Sequence, residues 1–177
     1  MSDYQDPDST RRGLAKGMHY LAWIVLLVLL TVYFNDFVGE QRNPNQHLSL
    51  VESGSGEVVL EQSRSGHYVA PGRINGQPVT FLLDTGATRV SVPEILADRL
   101  GLKRGAEQKT VTANGVISVY ATRLERVQLG SIELRNVSAS INPFMPDETV
   151  LLGMSFMQHL ELVQRGGQLT LSIPRQD

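Results

Sequence analysis

Turn chemistry constrains this chain before anything else does. Asn75-Gly76 lies between the extended runs "HYVAPGRI" and "PVTFLL", and Asn114-Gly115 lies between "KTVTA" and "VISVYA". Both central positions of a two-residue hairpin turn take positive φ, which Asn and Gly tolerate best, so each dipeptide predicts two antiparallel strands meeting there. "EVVLE" at 57–61 precedes these runs, further runs follow at 122–129 and 132–141, and "LELVQRGGQLTLSI" reads as a last hairpin turning near Gly166-Gly167. Helices are few. One is expected from Pro93 to about Leu100, with Pro at its first position and Gly101 just past its end, and a second short one from Met154 to His159. Many short strands with turn signals at roughly 8–12-residue spacing predict an all-β barrel or sandwich, and no strand-helix alternation of a parallel sheet is evident.

The first third is of another kind. Met18 to Phe34 reads "MHYLAWIVLLVLLTVYF", about 17 residues without formal charge when His19 is neutral, close to the lower limit for crossing roughly 30 Å of hydrocarbon. Arg11, Arg12 and Lys16 precede it and Asp36 and Glu40 follow, so the basic side stays in the cytoplasm and the rest of the chain crosses. Tyr20, Trp23, Tyr33 and Phe34 stand near its ends as interfacial anchors. A buried core helix would need a polar face, and a cleaved leader a small-x-small site where "TVYFNDF" stands; an uncleaved signal anchor fits better. Residues 35–56 carry "RNPNQ" and "SGSG" and read as a flexible linker. The expected organisation is a cytoplasmic segment 1–17, a transmembrane anchor 18–34, a linker 35–56 and a folded domain 57–177.

Composition excludes several chemistries. The chain has 177 residues, 41% of them hydrophobic, enough for one globular domain and an appendage. With 16 Lys+Arg against 18 Asp+Glu, and no basic cluster interleaved with aromatics in the later two-thirds, nucleic acid is not an expected partner. The absence of cysteine removes disulfides, thiolate zinc sites and a thiol nucleophile. His19, His47, His67 and His159 stand too far apart for a metal-ligand spacing, and no metal or cofactor is implied.

One acid stands out. "FLLDTGAT" delivers Asp84 from an apolar strand straight into a turn of small residues. Asp-Thr-Gly alone is common enough to be an ordinary turn, but an acid at the end of a buried strand needs partners if it is to stay ionised. "FLLDTGAT" resembles the active-site strand and turn of the retropepsin-like aspartic proteases, and "VLLGMSFM", Val150 to Met157, is similar to their second signature. Gly66-His67-Tyr68, Ile74-Asn75-Gly76, Pro78-Val79, Thr112-Ala113-Asn114-Gly115 and Leu151 to Phe156 occur in the order seen in the membrane-anchored bacterial branch, and the likeness covers about residues 57–174.

That resemblance implies a small closed acid-protease barrel with one or two short helices, behind a single transmembrane helix. It implies a bacterial inner-membrane protein with its protease domain in the periplasm, cutting protein or peptide substrates. It also implies one catalytic residue per chain, Asp84. Because no second Asp-Thr-Gly or Asp-Ser-Gly occurs, the partner acid is expected to be Asp84 of a second copy. Thr85 would grip the opposite loop, Gly86 would let the backbone pass close to the acid, and Thr88 would hydrogen-bond the outer side of the carboxylate. Gly153 would pack beneath the turn, with Leu151 and Leu152 filling the barrel. The hairpin Thr112, Ala113, Asn114, Gly115 would be a flap over substrate. Retroviral members place an Arg after the second-signature glycine where this chain has Met154, and their flap tips carry more glycine. Two other readings remain: a noncatalytic binding module on the same barrel, and serine hydrolysis by Ser155 with His159, which lacks the second glycine of G-x-S-x-G.

Overall fold

The computed structural model describes residues 7–48, 56–112 and 115–174. The chain forms two compact units, Met1–Gly39 and Glu40–Asp177. The first is built on helix α1, Pro7–Arg42, which is longer at both ends than the apolar run that nucleates it. Within α1, Gly17–Phe34 is long and apolar enough to cross a membrane, with a mean hydropathy of 1.9.

In the second unit, β1 (Glu57–Glu61), β2 (Tyr68–Ile74), β3 (Gln77–Leu83) and β4 (Val90–Pro93) lead into helix α2 (Glu94–Arg99). Then come β5 (Glu107–Thr112), β6 (Gly115–Leu129), β7 (Ile132–Asn142), β8 (Thr149–Leu152), helix α3 (Met154–Met157), β9 (Glu161–Arg165) and β10 (Gln168–Ser172). The fold is all-β apart from its short helices, as the turn pattern predicts. Asn75 and Gly76 take φ of 51° and 83°, Gly166 and Gly167 take 55° and 81°, and both hairpins close where positive φ is cheapest. Helix α2 stops at Leu100, with Gly101 at φ +65° just beyond.

Six strands close a barrel in the order β2-β3-β8-β4-β7-β6, sealed by the antiparallel pair β6 and β2, while β5 hangs from β6. The seal pairs Arg73 with Gln128 and Ile74 with Val127. A Cβ at Gly72 would lie 2.3 Å from Phe81 Cε2 and 2.5 Å from the Gln128 carbonyl, so only glycine lets β2 close against β6 over the buried Phe81 ring. Two pairings are parallel, β3 with β8 and β4 with β7, both joining strands distant in sequence. The runs at 116–121 and 122–129 form one strand, β6, because no turn residue separates them. The core holds Phe81, Leu124, Ile141, Val150, Leu152 and Phe156, all fully buried; each such side chain contributes about 1.5–3 kcal/mol of transfer free energy. β8 alternates, so Val150 and Leu152 fill the barrel whereas Leu151, expected beside them, is only partly buried on the other face.

A separate sheet of order β1-β10-β9 lies outside the ring. Part of the stretch expected as a linker belongs to this unit. Asn45 is buried; its Nδ2 donates to the Glu61 and Val69 carbonyls at 2.9 and 2.8 Å, and its Oδ1 accepts from Glu61 N–H at 2.7 Å.

Candidate active site

β3 carries "FLL" into the barrel with Phe81 and Leu83 inward, and leaves Asp84 at its end, half-buried. Three hydrogen bonds shape the turn beyond it. Asp84 N–H donates to the Leu152 carbonyl at 3.2 Å, Ala87 N–H to the Asp84 carbonyl at 3.2 Å, and Gly86 N–H to Asp84 Oδ1 at 2.8 Å. The last fixes the carboxylate over its own turn. A Cβ at Gly86 would stand 3.1 Å from that same oxygen and crowd it. Thr85 and Gly86 are exposed, so the acid turn faces outward from the chain.

The second signature anchors this turn from behind. Met154 N–H donates to the Ala87 carbonyl at 2.8 Å and Ser155 N–H to the Thr88 carbonyl at 3.0 Å. A Cβ on Gly153 would sit 2.3 Å from the Arg89 carbonyl oxygen and 2.5 Å from that of Ala87, so glycine is what lets α3 abut the acid turn. Thr88 takes part through its carbonyl; its exposed side chain makes no hydrogen bond to Asp84 within the chain, contrary to the role the resemblance implies. The Ser155 hydroxyl donates to the Ser138 carbonyl at 2.7 Å and accepts from Val90 N–H at 3.0 Å. Although Ser155 and His159 border the same surface concavity of about 240 Å³, that hydroxyl is committed to joining β4 and β7, which removes the serine-hydrolase reading.

The β5 and β6 hairpin stands out from the ring. Thr112 Oγ1 donates to the Gly115 carbonyl at 2.9 Å, and Gly115 adopts φ +114°. Ala113 and Asn114, the expected tip, lie outside the described residues. Val111 and Val116 face each other across the hairpin and are 82% and 64% exposed, an apolar pair that alternation alone did not single out. Arg89, just past the acid turn, donates through Nη1 to Gln108 Oε1 on β5. The structure therefore joins Asp84, Gly86 and Gly153 in one tight unit, while Thr112 and Gly115 lie on a projecting hairpin.

A family described as "gag-polyprotein putative aspartyl protease" matches residues 70–159, just over half of the chain. The chain belongs to this family of aspartic proteases. Among solved structures, that of a retropepsin-like aspartic protease from Rickettsia conorii superposes with a TM-score of 0.57 at 27% identity, covering 67% of this chain and 91% of that one. Two curated bacterial relatives are uncharacterised proteins. One, in the cobV 5′ region of a Sinorhizobium species, is 28% identical over 169 residues, 88% of this chain and 72% of its own length. The other, from Rickettsia prowazekii, is 28% identical over 109 residues, 60% of this chain and 46% of its own length. The retropepsin-like fold accounts for the position of Asp84, since the barrel places its β3 end against the β8-α3 corner.

Proposed function

We propose that this chain is one half of a membrane-anchored aspartic endopeptidase, active as a homodimer in which the Asp84 carboxylates of two copies share one proton. The observation that carries the reading is an acid turn, built on Asp84 and backed by Gly153, that faces outward and has a single acid to offer. In aspartic proteases generally, two carboxyl groups about 3 Å apart cannot both ionise, so one is a base and the other an acid. The ionised Asp84 draws a proton from a water whose oxygen attacks the scissile carbonyl carbon, and the protonated one hydrogen-bonds the carbonyl oxygen. Collapse of the tetrahedral species breaks the C–N bond as the leaving nitrogen takes a proton.

Thr85 grips the opposite loop, Gly86 and Gly153 keep the turn tight, and the Thr88 carbonyl ties the turn to α3 by accepting from Ser155 N–H. Thr112, Ala113, Asn114 and Gly115 form the flap, with the Val111 and Val116 pair offering apolar surface to a peptide. α1 anchors the chain in the bacterial inner membrane, with the protease in the periplasm and the basic N-terminal segment in the cytoplasm. The test uses the full chain in detergent, as wild type and as Asp84→Asn, with a mixed peptide library from about pH 4 to pH 8 and new termini read by mass spectrometry. Cleavage that disappears in the variant supports the reading. Equal cleavage by both, or none from a folded dimer, contradicts it and favours a binding module.

A further inference from the structure

Two local arrangements that cost stability meet at one place on the β6-β7 ladder. Arg126 is set directly opposite Arg135, like charge against like charge. At the next position the ladder is interrupted. Leu124 pairs with Val137, but Glu125 and Asn136, between these two pairs, are not matched to each other, and Asn136 takes a left-handed φ of 56°. Local rules broken twice within two residues, away from any hairpin turn, mark a place kept for something other than stability.

Beside this irregularity lies the concavity of about 240 Å³ between β7 and α3. β4 pairs with β7 only from Ala139 onward, so α3 faces the earlier edge of β7, with the Ser155 hydroxyl fastened to the Ser138 carbonyl. The polar lining is Arg135, Asn136, Ser138, Ser155, Gln158 and His159, and no carboxylate belongs to it. Glu125 and Glu133, the acids of the two strands, stand outside that lining. Glu133 offers one oxygen to both arginines, 3.5 Å from Arg126 Nε and 3.2 Å from Arg135 Nη2, so a single carboxylate is shared by two guanidinium groups. Arg123 adds a third cation, donating to the Asn136 carbonyl at 3.0 Å. Arg135 is exposed, and its Nη1 has no partner among the described residues. Gln158 Nε2 and His159 Nε2 stand side by side, 3.5 Å apart.

We propose that this concavity binds a phosphate group, held by Arg135 through charge-assisted hydrogen bonds and by the Asn136, Gln158 and His159 side chains around it. A lining rich in donors and free of carboxylate favours an anion, and the planar guanidinium fork matches two oxygens of a tetrahedral one. The excess of guanidinium over carboxylate on the adjoining ladder draws the anion in, and the bound anion in turn offsets the repulsion between Arg126 and Arg135. The group can arrive as free inorganic phosphate or as the phosphodiester of a lipid headgroup, the second being at hand for a chain whose α1 is long enough to cross a membrane. The site is separate from Asp84, although Ser155 serves both: its N–H donates to the Thr88 carbonyl of the acid turn, and its hydroxyl walls the concavity. The inference stands whether or not Asp84 cuts peptides.

The experiment titrates the full chain, in a nonionic detergent at constant ionic strength, with inorganic phosphate, with glycerophosphoglycerol and with acetate, and reads the dissociation constants by calorimetry. Saturable binding of a phosphate ligand is expected, with acetate at least about tenfold weaker. Arg135→Gln is expected to weaken binding at least about tenfold with its thermal transition retained, and Arg165→Gln, which removes an exposed arginine of β9, to leave it within twofold. Tighter binding of inorganic phosphate assigns the site to the free anion, and tighter binding of glycerophosphoglycerol assigns it to a lipid headgroup. A second measurement needs no variant: in the wild-type titration the His159 ring resonances are expected to shift saturably in the NMR spectrum while those of His67 stay in place. No saturation by either phosphate ligand below about 10 mM overturns the proposal, as does acetate bound as tightly as phosphate. Equal losses from Arg135→Gln and Arg165→Gln, or a His159 ring that does not respond, overturn it as well.

Discussion

At the scale of single residues, the site depends on what glycine omits. Asp84 is held by a bond from Gly86 N–H, and the turn that carries it is held by α3, which approaches only because Gly153 has no Cβ. The three nearest atoms a new Cβ would meet all belong to backbone, the first two at 2.3 and 2.5 Å, so the turn itself must move. Gly153→Ala is therefore expected to destabilise the fold by about 1–3 kcal/mol and to lower kcat beyond that loss, because the displaced carbonyls belong to Ala87 and Arg89 beside the acid. Urea unfolding and peptide cleavage check this together; wild-type values in both would contradict it. Asp84 and Gly153 were legible in the sequence because short motifs encode tight local geometry. Thr88 and Ser155 were not, since nothing local tells whether a hydroxyl reaches a neighbouring carboxylate or joins two strands.

Among the elements, hairpins were readable and long-range pairings were not. Asn-Gly and Gly-Gly specify their own turns, so the β2-β3 and β9-β10 hairpins follow from local φ preference. The parallel pairs β3-β8 and β4-β7 depend on packing between segments far apart in sequence, and no pattern in either strand names its partner. Asn45 was hidden for a related reason: an Asn in a polar stretch reads as turn, and its role as a plug on β1 exists only once β1 has an edge. Another long-range tie joins α2 to the segment before β8. Arg99 donates from both terminal nitrogens to the two Glu148 oxygens at 3.0 and 2.8 Å, and these bonds, with the Arg99 charge, hold the Glu148 carboxyl below the usual glutamate range. A depressed folded value means the pair's stabilisation is present above the unfolded value, about 4.3, and fades as pH falls through the folded one. The stability difference between wild type and Glu148→Gln is thus expected to be level at neutral pH and to shrink in acid. A difference that persists unchanged down to pH ~2 contradicts it.

For the whole molecule, sequence and structure agree on a closed barrel, and the apolar segment of α1 gives the chain a feature long enough to cross a membrane. Anchoring bears on assembly. On the proposed reading, two copies confined to one bilayer would meet at raised effective concentration, so a contact of modest strength would suffice there. A soluble domain that dimerised as tightly without α1 would contradict that role for the anchor. A shared-proton pair also predicts a pH profile that is acidic to near-neutral and falls once the second proton leaves; a rate still rising through pH 9 would be incompatible with it. The most direct test of the central claim mixes wild-type and Asp84→Asn chains, unfolded and refolded together so that they pair at random, at constant total concentration. If each active unit needs Asp84 from both copies, activity follows the square of the wild-type fraction, and an equal mixture retains about one quarter. A straight line, with about one half retained, would mean that each chain works with its own Asp84 alone, and the two-copy site would have to be abandoned.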